Sequence, residues 1–161
     1  MLENFRVSRG AGLGRYRFSQ IFSGLEECRE LWRVYGGKEK FHRNLSRTKV
    51  RVSKNPKIFF IDVKRKCVVI NQKYLQKTDR RTLFLDCLHE LVHIKQLRDG
   101  RNLFDKRYEY VDRPTEIQAY KVTMPVAKRL NMSRKQIINY LKVPWVSREQ
   151  HARLVRNVIG E

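Results

Sequence analysis

The sequence predicts a single α+β domain, in which a small, mostly antiparallel three-stranded sheet packs on one long helix and a helical C-terminal part follows. Three observations support this prediction. The chain has 161 residues, 41% of them hydrophobic, which is enough for one domain with its own core. Two short β-type runs, 57–63 and 67–71, are separated by only three residues. Much of the remaining chain repeats apolar residues at helical spacing.

The first half of the chain predicts an arm, one helix and three strands. Residues 1–17 place glycines among arginines, which predicts a flexible basic arm ahead of a domain over 18–161. Apolar residues recur every three or four positions over 19–35, so we expect a helix there. Residues 47–53 alternate weakly and predict a strand. The two stronger β-type runs then form a hairpin across their three-residue connection.

The longest predicted helix lies in the middle of the chain. It begins after a cap at Thr78 or Asp79, runs to about Arg98 and ends at Gly100. The polar residues 101–113 that follow are expected to form a loop.

Three shorter helices are expected after this loop. The first begins near Pro114, a residue suited to a first helical turn. Pro125 is expected to kink or end it, with the helical pattern resuming to Leu130. Two more, over 133–141 and 147–159, begin at serine caps. Together they make 131–161 a C-terminal helical segment of the same domain.

The charge of the chain favours a polyanionic partner. Lys and Arg number 36 against 16 Asp and Glu, a net charge of +20 that is not confined to one end. Nucleic acid is the usual partner of such a domain, and charge that only keeps the protein soluble is the alternative. The last two helices resemble a helix-turn-helix pair, with Arg148, Arg153 and Arg156 on the second, although plain helical packing is the favoured interpretation.

Membrane and secretory features are not expected from this sequence. No apolar run approaches 18 residues, and residues 1–18 lack the apolar core of a signal peptide. The three cysteines, Cys28, Cys67 and Cys87, have no CxxC spacing and indicate reduced thiols. We therefore expect a cytoplasmic protein with no membrane partner, and the sequence assigns no oligomeric state.

The long helix contains an HExxH motif, formed by His89, Glu90 and His93. Residues at i and i+4 lie on one face of a helix, about one turn apart, so both imidazoles can bind one ion. The glutamate lies beside them and can reach a water molecule on the ion without binding the ion itself. The alternative is a pair of surface histidines with a solvated glutamate.

The pattern around the motif predicts a helix with one polar and one apolar face. Asp86 and Gln96 fall on the same side as the two histidines, whereas Cys87 falls on the apolar side with the leucines. We expect Cys87 to be a buried core residue and the polar face to line a cleft.

A catalytic zinc site needs a third protein ligand, and Glu116 is the first candidate. It lies just inside the predicted helix at Pro114, and Ala119, one turn later, would allow that helix to pack closely on the first. Glu116 alternatively complements the helix dipole, and His151 is an alternative third ligand.

These residues resemble the zincin metallopeptidases of the gluzincin type. The HELVH sequence follows a hairpin ending in Val-Ile-Asn and precedes a helix that opens Pro-Thr-Glu-Ile-Gln-Ala. The short forms are most similar, namely the minigluzincins and the ImmA/IrrE-like and SprT-like peptidases, over about 57–130. The chain lacks the third histidine of SprT-like proteases. It has Tyr120 where thermolysin-like enzymes have an aspartate.

The resemblance implies a zinc-dependent peptidase. His89, His93 and Glu116 would bind one Zn²⁺ per chain, and Glu90 would act as general base on a metal-bound water that attacks a peptide bond. A sheet strand along the cleft, residues 67–71 or its neighbour, would hold the extended protein or peptide substrate.

Other roles remain open at the level of sequence. Asp86 is a candidate partner of the histidines. Candidates that stabilise the oxyanion are aromatic, cationic or imidazole side chains near the motif: Tyr108, Tyr110, Arg113, Tyr120 and His151. The peptidase would act near nucleic acid, or be inhibited by its own segment 144–146. The alternative function is a basic nucleic-acid-binding protein with a structural or inactive zincin site.

Overall fold

A computed structural model describes residues 1–160 and confirms a mixed α+β fold. Within these residues the helices are α1 Phe18–Ile21, α2 Arg29–Tyr35, α3 Lys38–Arg47, α4 Gln72–Lys77, α5 Arg80–Arg98, α6 Pro114–Arg129, α7 Arg134–Tyr140 and α8 Arg148–Ile159. The strands are β1 Arg6–Val7, β2 Gly14–Arg17, β3 Phe22–Ser23, β4 Lys49–Ser53, β5 Phe59–Asp62 and β6 Cys67–Asn71. In the described part of the chain, no helix is both long and apolar enough to cross a membrane.

The main sheet has four strands, not the three predicted. Its order is β2-β4-β6-β5, so β6 is central and β5 is an edge strand. The β5–β6 hairpin is confirmed and is antiparallel, as is the β2–β4 pair, but β4 and β6 are parallel. Strand β5 lies between β4 and β6 in the sequence, yet β4 and β6 are neighbours in the sheet. Local sequence patterns do not reveal such a pairing. Strands β1 and β3 form a separate two-stranded sheet.

The prediction of a flexible arm over residues 1–17 is wrong. Strand β1 pairs with β3, and β2 forms one edge of the main sheet. The Phe5 side chain is fully buried, and its ring packs edge-on against Phe84 of α5 with 5.0 Å between ring centroids. The many arginines of this segment conceal the few apolar positions that hold it in the fold.

The helix predicted over 19–35 is interrupted. Strand β3 and a turn at Gly24 separate α1 from α2. Gly24 has φ +92°, and a Cβ there would lie 2.2 Å from the carbonyl oxygen of Asn4, so only glycine fits. Ile21, Leu25 and Leu31 are nevertheless buried, which explains why the apolar spacing resembles one helix.

The long helix is confirmed as α5. The Asp79 carboxylate caps it by accepting the N–H of Thr82 at 3.0 Å. Helix α6 begins at Pro114 as predicted and continues through Pro125 to Arg129, so the helix does not end at that proline and the helical pattern resumes beyond it as expected. Helices α7 and α8 begin after Ser133 and Ser147, each within a capping box.

The core lies between one face of the main sheet and the helices. Val50, Val68 and Ile70 of the sheet join a cluster with Phe84 and Leu88 of α5. Helix α5 is therefore fixed against the sheet by its apolar side. Cys87 is fully buried there, as predicted.

Candidate metal centre

Three side chains converge on one point, and they are the three predicted ligands. His89 Nε2 lies 2.9 Å from His93 Nε2, and Glu116 Oε2 lies 3.2 and 3.3 Å from those two atoms. Ligand atoms at 2.0–2.1 Å from a tetrahedral zinc ion are about 3.3 Å apart. The His-His-Glu trio thus has the spacing and the donor atoms of a site that could hold a metal ion.

Two helices bring these ligands together. His89 and His93 lie one turn apart on the face of α5 opposite the apolar core, and Glu116 is the third residue of α6. Helices α5 and α6 pack against each other, and Ala119, one turn beyond Glu116, is fully buried. The small alanine therefore permits the close approach that the sequence predicts.

The three side chains of the trio shift one another's pKa values. All three side chains are buried, and burial opposes charge on each of them. Burial together with the neighbouring His93 lowers the pKa of His89. Against its own burial, the Glu116 carboxylate raises the pKa of His93 to about 9, and His93 in turn holds the pKa of Glu116 below its usual range. Two imidazoles and a carboxylate so arranged fit a divalent cation.

The orientation of the His93 ring is set by Gln96, one turn later on α5. His93 Nδ1–H donates to Gln96 Oε1 at 2.7 Å, while Gln96 Nε2 donates to Thr115 O and Gln118 Oε1. Because the amide nitrogen already faces two acceptors, its oxygen must face His93, and Nε2 is then the His93 ring nitrogen that is directed at the centre of the trio.

Asp86 does not contact either histidine, so its predicted role as their partner is wrong. It accepts hydrogen bonds from the hydroxyls of Tyr74 at 2.6 Å and Tyr140 at 3.1 Å. Burial raises the pKa of Asp86 to about 6, although these two hydrogen bonds oppose the rise. Tyr140 packs edge-on against Tyr120, so Asp86 supports the cleft wall through tyrosines.

Glu90 is buried beside the trio but is not part of it. Its Oε2 atom has no hydrogen-bond partner among the described residues, and the side chain lines the cleft. Burial raises the pKa of Glu90 to about 8, with Glu116 and Asp86 adding to the rise and His93 opposing it. An unpartnered carboxyl group in a cleft wall is available to bind a water molecule or a substrate proton.

Two of the predicted oxyanion candidates form a pair next to the ligands. The Tyr120 ring lies 4.3 Å from the His89 ring between centroids, and its hydroxyl is 2.8 Å from that of Tyr110. Burial raises the pKa of both tyrosines, so both hydroxyls keep their protons. Only one of the two protons can lie between the oxygens, which leaves the other as a free donor at the cleft.

The other candidates differ in position. Arg113 lines the cleft with its guanidinium 5.9 Å from the centroid of the Phe104 ring. Tyr108 is exposed and does not line the cleft. His151 neither joins the trio nor lines the cleft, and its Nε2 lies 2.9 Å from the carbonyl oxygen of Ile138 in α7. The structure therefore contradicts His151 both as third ligand and as oxyanion donor.

The trio lies in a cleft of about 860 Å³. Residues 57–61, which include the free edge of β5, form one wall, and residues 142–145 form part of another. Trp145 packs edge-on against Tyr110, with ring centroids 5.6 Å apart, and 63% of its surface is exposed. Of segment 144–146, Pro144 and Trp145 thus border the cleft.

Searches of protein-family models, of curated proteins and of solved structures find no match to this chain. The resemblance to the zincins consequently depends on the residues of the site and their geometry.

Proposed function

We propose that this protein is a zinc-dependent metallopeptidase. The observation that carries the proposal is the convergence of His89, His93 and Glu116 in a cleft, with the unpartnered Glu90 carboxyl beside them. Two imidazoles and one carboxylate form a three-ligand set typical of catalytic zinc, which keeps a fourth position open.

When bound, the metal supplies Lewis-acid activation of a water molecule and of a substrate carbonyl. Glu90 accepts the proton of the attacking water and transfers it to the leaving amine of the cleaved peptide. A carboxyl whose pKa lies near the working pH can do both, and burial moves Glu90 in that direction. The free hydroxyl proton of the Tyr110–Tyr120 pair is directed at developing negative charge on the carbonyl oxygen.

The shape of the cleft supports an extended peptide as substrate. Strand β6 is paired on both sides, so its neighbour β5 is the strand available to a substrate. The unpaired edge of β5 borders the cleft and offers main-chain hydrogen bonds to an added strand. Two exposed aromatic side chains at the rim, Phe104 and Trp145, favour bulky apolar side chains in that peptide.

A purely structural site is the competing function. Such a site has no use for a buried, unpartnered carboxyl next to the ligands, or for an open cleft in front of it. The two functions differ in what happens when Glu90 is changed, because a structural site tolerates that change.

The test is hydrolysis of a library of fluorogenic peptides by the zinc-loaded full chain and by Glu90→Gln. We expect the variant to keep one equivalent of zinc and to lose activity by about 10²–10⁴-fold, the usual effect of removing a general base. Glu149→Gln, an exposed glutamate at the start of α8, is the matched control and should retain full activity. Undiminished cleavage by Glu90→Gln would remove Glu90 from the mechanism, and absence of cleavage by the zinc-loaded wild type would favour the structural site.

A further inference from the structure

The second face of the main sheet, away from the core, carries a cluster of positive charges. The core uses one face of the sheet, with Val50 and Val52 of β4 and Val68 and Ile70 of β6. The opposite face is called the outer sheet face below. Strand alternation and register assign to it these residues: Arg15, Arg17, Lys49, Arg51, Phe60, Asp62, Cys67 and Val69. None of them belongs to the core cluster. Cys67 and Val69 are nevertheless buried, Arg51, Phe60 and Asp62 are half-buried, and the exposed part of this face is formed by Arg15, Arg17 and Lys49.

The strand register arranges four of these residues as two adjacent cationic pairs. Arg15 of β2 lies opposite Arg51 of β4, and Arg17 lies opposite Lys49. Neighbouring strands are about 4.8 Å apart and alternate residues on one strand about 7 Å apart. Four cationic side chains therefore rise from one patch about 5 by 7 Å across at the backbone.

Little on this face neutralises these charges. Arg15, Arg17 and Lys49 are exposed, and none of them forms an ion pair within residues 1–160. Asp62 is the acidic residue of the face, and it contacts Arg51 at 3.5 Å and Arg65 at 3.1 Å. Like charges placed directly across a strand pair are destabilising, so the arrangement indicates an external anion as partner.

An aromatic ring lies on the same line of residues across the sheet as two of these charges. Arg15, Arg51, Val69 and Phe60 lie in one line across all four strands. The Lys57 ammonium lies 5.6 Å from the centroid of the Phe60 ring, and both residues border the cleft. The Lys57 ammonium lies over the face of this half-buried ring, so it extends the positive charge of the sheet surface to the cleft. A continuous cationic surface of this kind is suited to a phosphate backbone.

We propose that the outer sheet face binds nucleic acid, with its phosphodiester groups on the β2–β4 arginines and lysine and its path leading to Phe60 at the cleft. The predicted helix-turn-helix surface is a weaker candidate, because Arg153 of α8 is bound to Glu109 and to Asp112. The inference does not depend on the metal centre, and it can fail while the proposed peptidase activity stands.

The experiment measures binding of the full chain to a fluorescent 20-nucleotide single-stranded DNA and to the matching duplex across a range of salt. The variant Arg15→Gln/Arg17→Gln/Lys49→Gln removes three unpaired charges. We expect affinity for one or both probes to fall at least about tenfold near 100 mM salt, and the slope of log K against log salt to flatten by about 2. The probe whose affinity falls in this variant, the single strand or the duplex, identifies the form of DNA that the outer sheet face binds.

A charge-matched control separates a local site from the overall charge. Arg43→Gln/Lys121→Gln/Lys128→Gln also removes three exposed cationic residues, on α3 and α6, and should leave the affinity within about twofold. Lysine in place of Arg15 and Arg17 keeps the charge and should retain most of the binding, which guards against a folding defect in the glutamine variant.

Three results would overturn the proposal. Equal loss in the two glutamine triples would mean that binding is diffuse. Absence of binding to either probe near 50 mM salt and at micromolar protein would exclude nucleic acid as the partner. Binding to phosphatidylserine vesicles that depends on Arg15, Arg17 and Lys49, with no such dependence for DNA, would assign the face to a membrane surface.

Discussion

At the residue scale, the candidate metal centre consists of side chains whose orientation is fixed by other side chains. Gln96 holds the Nδ1–H of His93, and its own amide is fixed by Thr115 and Gln118 at the start of α6. A helix–helix contact therefore orients a ligand of the trio.

Gln96→Leu should weaken zinc binding by about 10–100-fold without preventing it, because the His93 ring loses its orienting hydrogen bond but keeps its nitrogen. Competition with a chromophoric chelator measures the change. Gln76→Leu makes the same substitution on the exposed side of α4 and serves as control. An unchanged zinc affinity in Gln96→Leu would contradict the positioning role of Gln96.

The affinity for zinc should rise with pH. In the metal-free protein the pKa of His93 is about 9, since the attraction of Glu116 exceeds the effect of burial. Zinc needs the unprotonated imidazole, so below pH 9 binding must displace a proton. We expect the association constant to rise about tenfold per pH unit between about pH 6 and 8, measured against a chelator of known pH dependence.

An ordinary imidazole would give a different pH profile, levelling above about pH 7. Glu90 is a second buried acid near His93, and Glu90→Gln removes its titration. In this variant the zinc association constant should still rise with pH, because that rise reflects the proton on His93. A plateau above about pH 7 in both proteins would show that Glu116 does not hold a proton on His93.

The ligands could be predicted from sequence, but the orienting residues could not. The i and i+4 spacing on a helix determines the mutual position of His89 and His93 from the sequence alone. Gln96 lies on the same face of the predicted helix, yet its hydrogen bond depends on where α6 packs, and the sequence does not specify that. Asp86 also lies on that face but contacts tyrosines instead.

At the element scale, the N-terminal segment is a structural part of the domain. Phe5 lies between the small sheet and α5, stacked on Phe22 and edge-on to Phe84. Residues 6–7 and 14–17 add strands to both sheets.

Phe5→Ala should lower the free energy of unfolding by about 3–5 kcal/mol, the usual range for a fully buried phenylalanine. Leu13→Ala, at a side chain that is 52% exposed in the same segment, should change it by less than about 0.5 kcal/mol. Urea denaturation followed by circular dichroism measures both. Equal stability of the two variants would restore the interpretation of residues 1–17 as an arm.

Elements with local patterns could be predicted well, and those that depend on distant pairing could not. Helix α5 combines a cap at Asp79 with sustained apolar spacing, and the β5–β6 hairpin needs only a short turn. Strand β2 is defined by its pairing with β4, a segment more than 30 residues away in the chain. The parallel β4–β6 pair likewise joins two segments that another strand separates in sequence. Helix α4 has only six residues, too few for a clear periodic signal. Helix α3 has ten, but its buried residues, Phe41 and Leu45, stand among charged and polar side chains.

At the scale of the whole molecule, the cleft and the outer sheet face meet at strand β5. Phe60 belongs to the outer face by its register with Val69, and it also borders the cleft. Nucleic acid on that face would hold bound proteins close to the proposed active site.

The net charge of +20 follows from the sequence, but its location does not. Arg15 and Arg17 lie on one side of strand β2. They form a cluster with the cationic residues of β4 only because β2 pairs with β4, and the sequence does not reveal that pairing. The arginines of α8 are the more conspicuous cluster in the sequence, and there Arg153 is already paired.

We propose that His89, His93 and Glu116 together hold one zinc ion. Crystals of the full chain grown with one equivalent of zinc allow anomalous diffraction at the zinc edge to locate the ion. We expect a single strong peak about 2.0–2.2 Å from His89 Nε2, His93 Nε2 and a carboxylate oxygen of Glu116. A peak bound by His151 or Cys67 in place of Glu116, or no peak between α5 and α6, would contradict it.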